Sequence, residues 1–174
     1  MNHHHHTAEP EPTIVAWAQQ LPESCSVLDV AAGGGRHTLW LANKGHRVTA
    51  VDQNTEALQS RASEDVRVIT ADIENAPWPL PGEQFDAVLV VNYLWRPLLR
   101  TLFNSVKVGG HLIYETFGVG NERFGRPRNP DFLLRPDELK LAVSPGFRVI
   151  EFAYGEVGTP PSAVRQRLFA TRLH

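Results

Sequence analysis

Apolar residues follow two rhythms along this chain, and their alternation predicts the fold before any motif is considered. Ile14, Trp17, Ala18 and Leu21 fall at i, i+3, i+4 and i+7 after Pro12, predicting a helix that Pro22 ends. SVLDVAA (Ser26 to Ala32) is short, apolar and rich in β-branched residues, so it reads as a buried strand entering a glycine loop. A helix then continues through Leu39, Ala42 and Asn43 to Gly45, placed for a left-handed C-cap. HRVTAVD (His46 to Asp52) is a second strand, with Asn54 expected to cap a helix through Ala57, Leu58 and Ala62. VRVITAD (Val66 to Asp72) is a third, and the prolines of NAPWPLPGE forbid a regular crossover helix behind it. FDAVLVVN is a fourth strand ending at Asn92 and RPLLRTLFNSV is helical, after which VGG (Val108 to Gly110) is expected to turn the chain into a fifth strand, HLIYETF. A helix around Asp137 to Ala142 and two last strands, FRVIEFAYGE and QRLFATRLH, complete the series.

Near-continuous apolar strands alternating with helices predict an α/β fold whose mainly parallel sheet is covered on both faces. Ligands of such sheets bind beyond the carboxyl ends of the strands. That rule gathers Asp29 to Gly35, Asp52, Asp72 and Asn92 around one crevice.

Composition narrows the setting. The 174 residues suit one domain, assigned to 12–174, while residues 1–11, with the run His3 to His6, read as a tail or purification tag. A net charge of -2 gives no reason to expect nucleic acid or an anionic membrane as partner. The single cysteine, Cys25, forbids an internal disulfide or a cysteine-based metal site, and no metal is expected. With no apolar run of roughly 20 residues, the expected location is the cytoplasm, as a monomer or homodimer.

The stretch DVAAGGGRHT (Asp29 to Thr38) selects among ligands. A dinucleotide loop has the form G-x-G-x-x-G, and reading from Gly33 puts Thr38 at the third glycine position. Asp29 would repel a pyrophosphate, yet it suits a ligand with an ammonium group, a positive centre and a ribose but no phosphate. S-adenosylmethionine has that description. Asp52, at the end of the second strand, stands where an acid accepts hydrogen bonds from ribose hydroxyls.

VLDVAAGGGRHTLWLANKGHRVTAVDQN resembles the first two motifs of class I S-adenosylmethionine-dependent methyltransferases, whose common form is VLDLGCGTGR, then LA-x-x-G, then V-x-x-x-D. The resemblance continues through ADIEN, FDAVLVVN and VKVGGHLIYE, covering Ser26 to Thr116. It departs at Ala31 and Ala32, where the family usually has Gly-Cys. In size and motif order the chain is similar to small stand-alone bacterial enzymes of the tellurite-resistance and thiopurine types. The resemblance implies a Rossmann-like, doubly wound, seven-stranded sheet with an antiparallel strand near the C-terminus, in three αβα layers. It implies S-adenosylmethionine as cofactor and S-adenosylhomocysteine as product. Asp29 would hold the methionine end; Ala31, Gly33 and Gly35 would line the loop; Asp52 and Gln53 would meet the ribose side, and Asp72 and Ile73 the adenine. Asn92 would sit near the transferable methyl.

Methyl transfer needs alignment and, for an oxygen or nitrogen nucleophile, a base. The candidates are Glu115 at the end of the fifth strand and His37 after the glycine loop, with Asn92 and Tyr93 beside them. Tyr114, Arg123, Arg126 and Arg128 are candidates for binding a small, anionic acceptor, the arginines lying on a loop after the fifth strand. A non-catalytic binding protein of the same fold is the alternative. A nucleotide-dependent oxidoreductase is disfavoured by Asp29 and Thr38.

Overall fold

The computed structural model describes residues 9–174, so the histidine run lies outside the described residues. Strands β1 (Ser26–Val30), β2 (Arg47–Asp52), β3 (Val66–Thr70), β4 (Phe85–Val91), β5 (Val106–Phe117), β6 (Phe147–Val157) and β7 (Ala163–Arg172) form one seven-stranded sheet in the order β3-β2-β1-β4-β5-β7-β6. The strands from β1 to β5 pair in parallel, while β7 runs antiparallel to both β5 and β6. This is the Rossmann-like sheet, with its antiparallel strand near the C-terminus, that the sequence predicts.

Both faces are covered because both faces of the central strands are apolar. Helices α1 (Pro12–Ala18) and α2 (Arg36–Asn43) pack Ile14, Trp17 and Leu41 against Val27, Leu89, Ile113 and Phe169. Helices α4 (Leu99–Asn104) and α5 (Glu138–Val143) close the opposite face, with Leu102, Leu139 and Val143 against Leu28, Val88, Leu112 and Leu168. Trp17 fixes α1 across the sheet by stacking on Phe169 at 5.8 Å and donating its indole N–H to Glu151 on β6 at 2.9 Å.

Two local expectations are corrected. The helix after β2, α3 (Glu56–Gln59), is only one turn long; its N-cap position is Thr55, which makes no side-chain cap bond, while Asn54 one residue earlier accepts the Glu56 amide on its Oδ1 at 3.4 Å. Leu58 is its one buried residue, so there is no apolar face to carry the helix towards Ala62. The VGG segment is part of β5 rather than a turn before it. The register with β4 shifts between Phe85 and Ala87, and Gly109 takes φ +79 beside that shift. A Cβ on Gly110 would lie 2.8 Å from the Asp86 carbonyl oxygen, so only glycine allows β5 this close to β4.

Candidate functional site

At the carboxyl end of β1 the chain reverses through left-handed residues: Ala31 at φ 55, Gly33 at φ 55 and Gly35 at φ 80. Gly35 is the N-cap of α2, and a Cβ there would overlap the Leu58 side chain of α3. It therefore lets two helices meet and lies behind the cavity wall, whereas Gly33 and Gly34 line that wall. Ala31 is a different case, because a Cβ in the left-handed region costs about 1–2 kcal/mol and the residue stands where the resembled motif has glycine. Ala31→Gly is expected to raise stability by up to about 1 kcal/mol, less than the full strain because glycine gains freedom when unfolded. Thermal unfolding should show a rise of about 2–4 °C for each kcal/mol regained; no rise would mean that the strain is relieved elsewhere.

Two adjoining cavities open at this edge and share Ala31. The larger, about 930 Å³, is bounded by Asp29, the glycine loop, Arg36, His37, α3 and Asn92. The smaller, about 160 Å³, is bounded by Asp52, Gln53, Asp72, Ile73 and Tyr93. Between them runs one hydrogen bond, from the Gly33 amide to Asp52 Oδ2 at 2.8 Å. Asp52 Oδ1 accepts from the Asn54 amide at 2.9 Å, so two of the carboxylate's roughly four acceptor directions are used and two remain.

The other two acids differ sharply in environment. Asp29 is buried and its Oδ2 accepts from the Thr38 hydroxyl at 2.6 Å. Burial drives its pKa up from 3.8 to about 7, the Thr38 bonds opposing the shift. Thr38 therefore orients the Asp29 carboxyl. Asp72 closes a turn, its Oδ1 accepting from the Glu74 and Asn75 amides at 3.0 Å each and its Oδ2 from Asn75 Nδ2 at 3.1 Å. These bonds hold its carboxyl below the usual range, the Asn75 side chain contributing most. One acceptor direction on Oδ2 is unused among the described residues, and Asp72 lines the smaller cavity.

Of the catalytic and acceptor-binding candidates, His37, Tyr114 and Glu115 are buried, whereas the loop arginines are exposed. His37 does line the larger cavity, but it is buried and its Nε2 accepts the Glu11 amide at 3.2 Å. Burial lowers its pKa to about 4, so the ring is neutral at neutral pH and the lone pair a base would need is already used. Glu115 does not face an open crevice. It is fully buried, with Arg165 at 3.1 Å and Arg167 at 3.4 Å, and desolvation raises its pKa against those two charges. Tyr114 is core: fully buried, it donates its hydroxyl to the Tyr93 carbonyl at 2.9 Å. Arg123 pairs with Glu156 at 2.9 Å and lies over Phe124, while Arg126 and Arg128 are exposed. Asn92 lies at the cavity, at φ 58, with its Oδ1 accepting from Arg165 at 2.6 Å.

Residues 27–110 match the methyltransferase domain family. That match spans just under half of the chain, and over nearly its whole length the chain shares its fold with solved methyltransferases. Its fold superposes on TehB from Haemophilus influenzae with a TM-score of 0.73 and 19% identity, over 94% of this chain and 62% of that one. A SAM-dependent methyltransferase from Aquifex aeolicus superposes at 0.69 with 23% identity, over 94% and 90% of the two chains. So does the 1,6-didemethyltoxoflavin-N1-methyltransferase of Burkholderia thailandensis, solved with 1,6-didemethyltoxoflavin and S-adenosylhomocysteine, at 0.69 and 20% identity over 94% and 78%. No curated protein matches the chain by sequence.

S-adenosylmethionine, the cofactor that the sequence motifs imply, is compatible with the residues present. A buried carboxyl held near neutrality, with no ion pair among the described residues, is suited to an ammonium group. The free acceptor directions of Asp52 are suited to two vicinal hydroxyls. In the smaller cavity the Tyr93 hydroxyl is buried without a hydrogen-bond partner, a polar atom that a ligand would satisfy. The sequence missed Arg36 and Arg61, which border the larger cavity, and Arg165 and Arg167 behind Asn92. A signal for the last two existed, since arginines two apart on a strand share a face.

Proposed function

We propose that this chain transfers a methyl group from S-adenosylmethionine to a small-molecule acceptor that carries negative charge. The observation that carries the reading is the Gly33 to Asp52 hydrogen bond, which ties the glycine loop to the acid of the next strand, with buried Asp29 on one side and Asp72 on the other. When bound, the cofactor supplies an activated methyl carbon whose bond to sulfur breaks as the bond to the nucleophile forms. The chain's own part is binding and alignment: Asp29 towards the ammonium, Asp52 towards the ribose, and Asp72, Ile73 and Tyr93 around the adenine. Asn92, steadied by Arg165, stands at the methyl-facing end.

The state of the candidate bases narrows the acceptor. With the Nε2 lone pair of His37 already accepting, Glu115 ion-paired, and Tyr93 held above its usual pKa by burial, the acceptor best suited to the site arrives already ionised. The same observation favours one second reading, a protein that binds the cofactor without transferring its methyl. Calorimetry with S-adenosylmethionine, S-adenosylhomocysteine and NAD tests both. The sulfur nucleosides are expected to bind and NAD is not; binding of NAD alone would overturn the methyltransferase reading, and cofactor binding without turnover on any anionic acceptor would select the second one.

A further inference from the structure

On the sheet face that carries α1, beyond Ile113 and Phe169, three charged side chains stand in one row: Glu115 of β5, and Arg165 and Arg167 of β7. Strand alternation puts all three on that face, and Glu115 pairs in register with Arg167, Phe117 with Arg165. Arg165 has its guanidinium 4.4 Å from the centre of the Phe117 ring and donates Nη1 to Asn92 Oδ1, so its plane is fixed and it touches the residue that lines the larger cavity. The Glu115 oxygens and Arg167 Nε, all buried, make no aligned hydrogen bond. A buried ion cluster with unmatched polar atoms is poor stabilising material, because desolvation offsets the attraction. Two guanidiniums against one carboxylate also leave one positive charge in excess, and the Arg167 side chain remains 24% exposed.

We propose that Arg165 and Arg167 are the acceptor's binding site and that the group they hold is a carboxylate, with Glu115 setting the two guanidinium planes. This rests on the methyltransferase reading for the word acceptor, but not for the binding itself. A single excess charge suits a monoanion, and paired planar guanidiniums suit its two oxygens. The loop arginines are the poorer site: the Arg123 side chain is 59% exposed, where screening is strong, and Arg126 and Arg128 are exposed as well.

Calorimetry on the full chain, with and without saturating S-adenosylhomocysteine, tests this with benzoate as the carboxylate, benzamide as its neutral counterpart and inorganic phosphate as the dianion. Benzoate is expected to bind at least tenfold more tightly than either. Arg167→Gln should weaken benzoate at least tenfold while S-adenosylhomocysteine affinity stays within twofold, and Arg126→Gln should change neither. Should Arg167→Gln misfold, Arg167→Lys keeps the charge without the planar fork and should weaken benzoate at least threefold. Equal binding of benzoate and benzamide, no benzoate binding, tighter phosphate binding, or benzoate affinity indifferent to Arg167 would each overturn the proposal. If S-adenosylhomocysteine fails to bind while the dependence of benzoate on Arg167 persists, the cofactor reading falls and the carboxylate site stands.

Discussion

Replacing Asp52 with alanine is expected to weaken S-adenosylhomocysteine binding by about 2 kcal/mol, roughly thirtyfold in Kd, the middle of the range for hydrogen bonds to a charged group. The effect has two sources. The carboxylate offers two unused acceptor directions at the junction of the cavities, and it also holds the Gly33 and Asn54 amides that shape them. The sources separate experimentally: the loop contribution appears without ligand, as a loss of about 1 kcal/mol in urea unfolding, whereas the ligand contribution appears only in the calorimetric Kd. An unchanged Kd would remove Asp52 from the ribose role, whatever happened to stability.

The convergence on which that prediction rests was legible in the sequence because it depends on topology alone. Short β-branched runs alternating with helices dictate parallel strands, and parallel strands place Asp29, Asp52, Asp72 and Asn92 at one edge without reference to any long-range contact. What the sequence could not show depends on register and burial. Tyr114 and Glu115 are neighbours on β5 and must face opposite ways, yet nothing local says that both faces are closed there. Arg165 and Arg167 reach Asn92 only because β7 returns antiparallel beside β5, in a register set by pairing over its whole length. His37 is a candidate base by its place after the glycine loop, but the chain ahead of α1 donates the Glu11 amide to its Nε2, a contact no local pattern announces. The glycines divide along the same line. Gly33 lines the larger cavity and is readable from the motif, while the need for Gly35 comes from Leu58 on α3.

Replacing Asp29 with asparagine is expected to produce the largest change, with opposite signs for stability and for binding. The folded-state pKa of about 7 lies above the unfolded value near 3.8, so between those two pH values the native state holds a proton that the unfolded chain has released. Native stability from this group is therefore greatest in acid, falls as pH rises towards 7, and above that carries the full cost of a buried carboxylate, on the order of 3–4 kcal/mol. Thr38 softens the cost, as does distant Arg36, while Asp52 adds to it. Asparagine keeps an acceptor for the Thr38 hydroxyl without the charge, so Asp29→Asn should gain roughly 2–3 kcal/mol over the parent in urea unfolding at pH 8 and little at pH 4. A stability difference that does not vary between those pH values would show that the carboxyl titrates normally. Binding should move the other way. The ammonium of the cofactor calls for the ionised acid, so parent affinity for S-adenosylhomocysteine should fall towards tenfold per pH unit below 7, and the Asp29→Asn variant should bind at least a hundredfold more weakly at pH 8 with no such slope. The buried acid is destabilising in the free protein for the same reason that it attracts a cation. A stabilised variant that kept full cofactor affinity would refute that coupling.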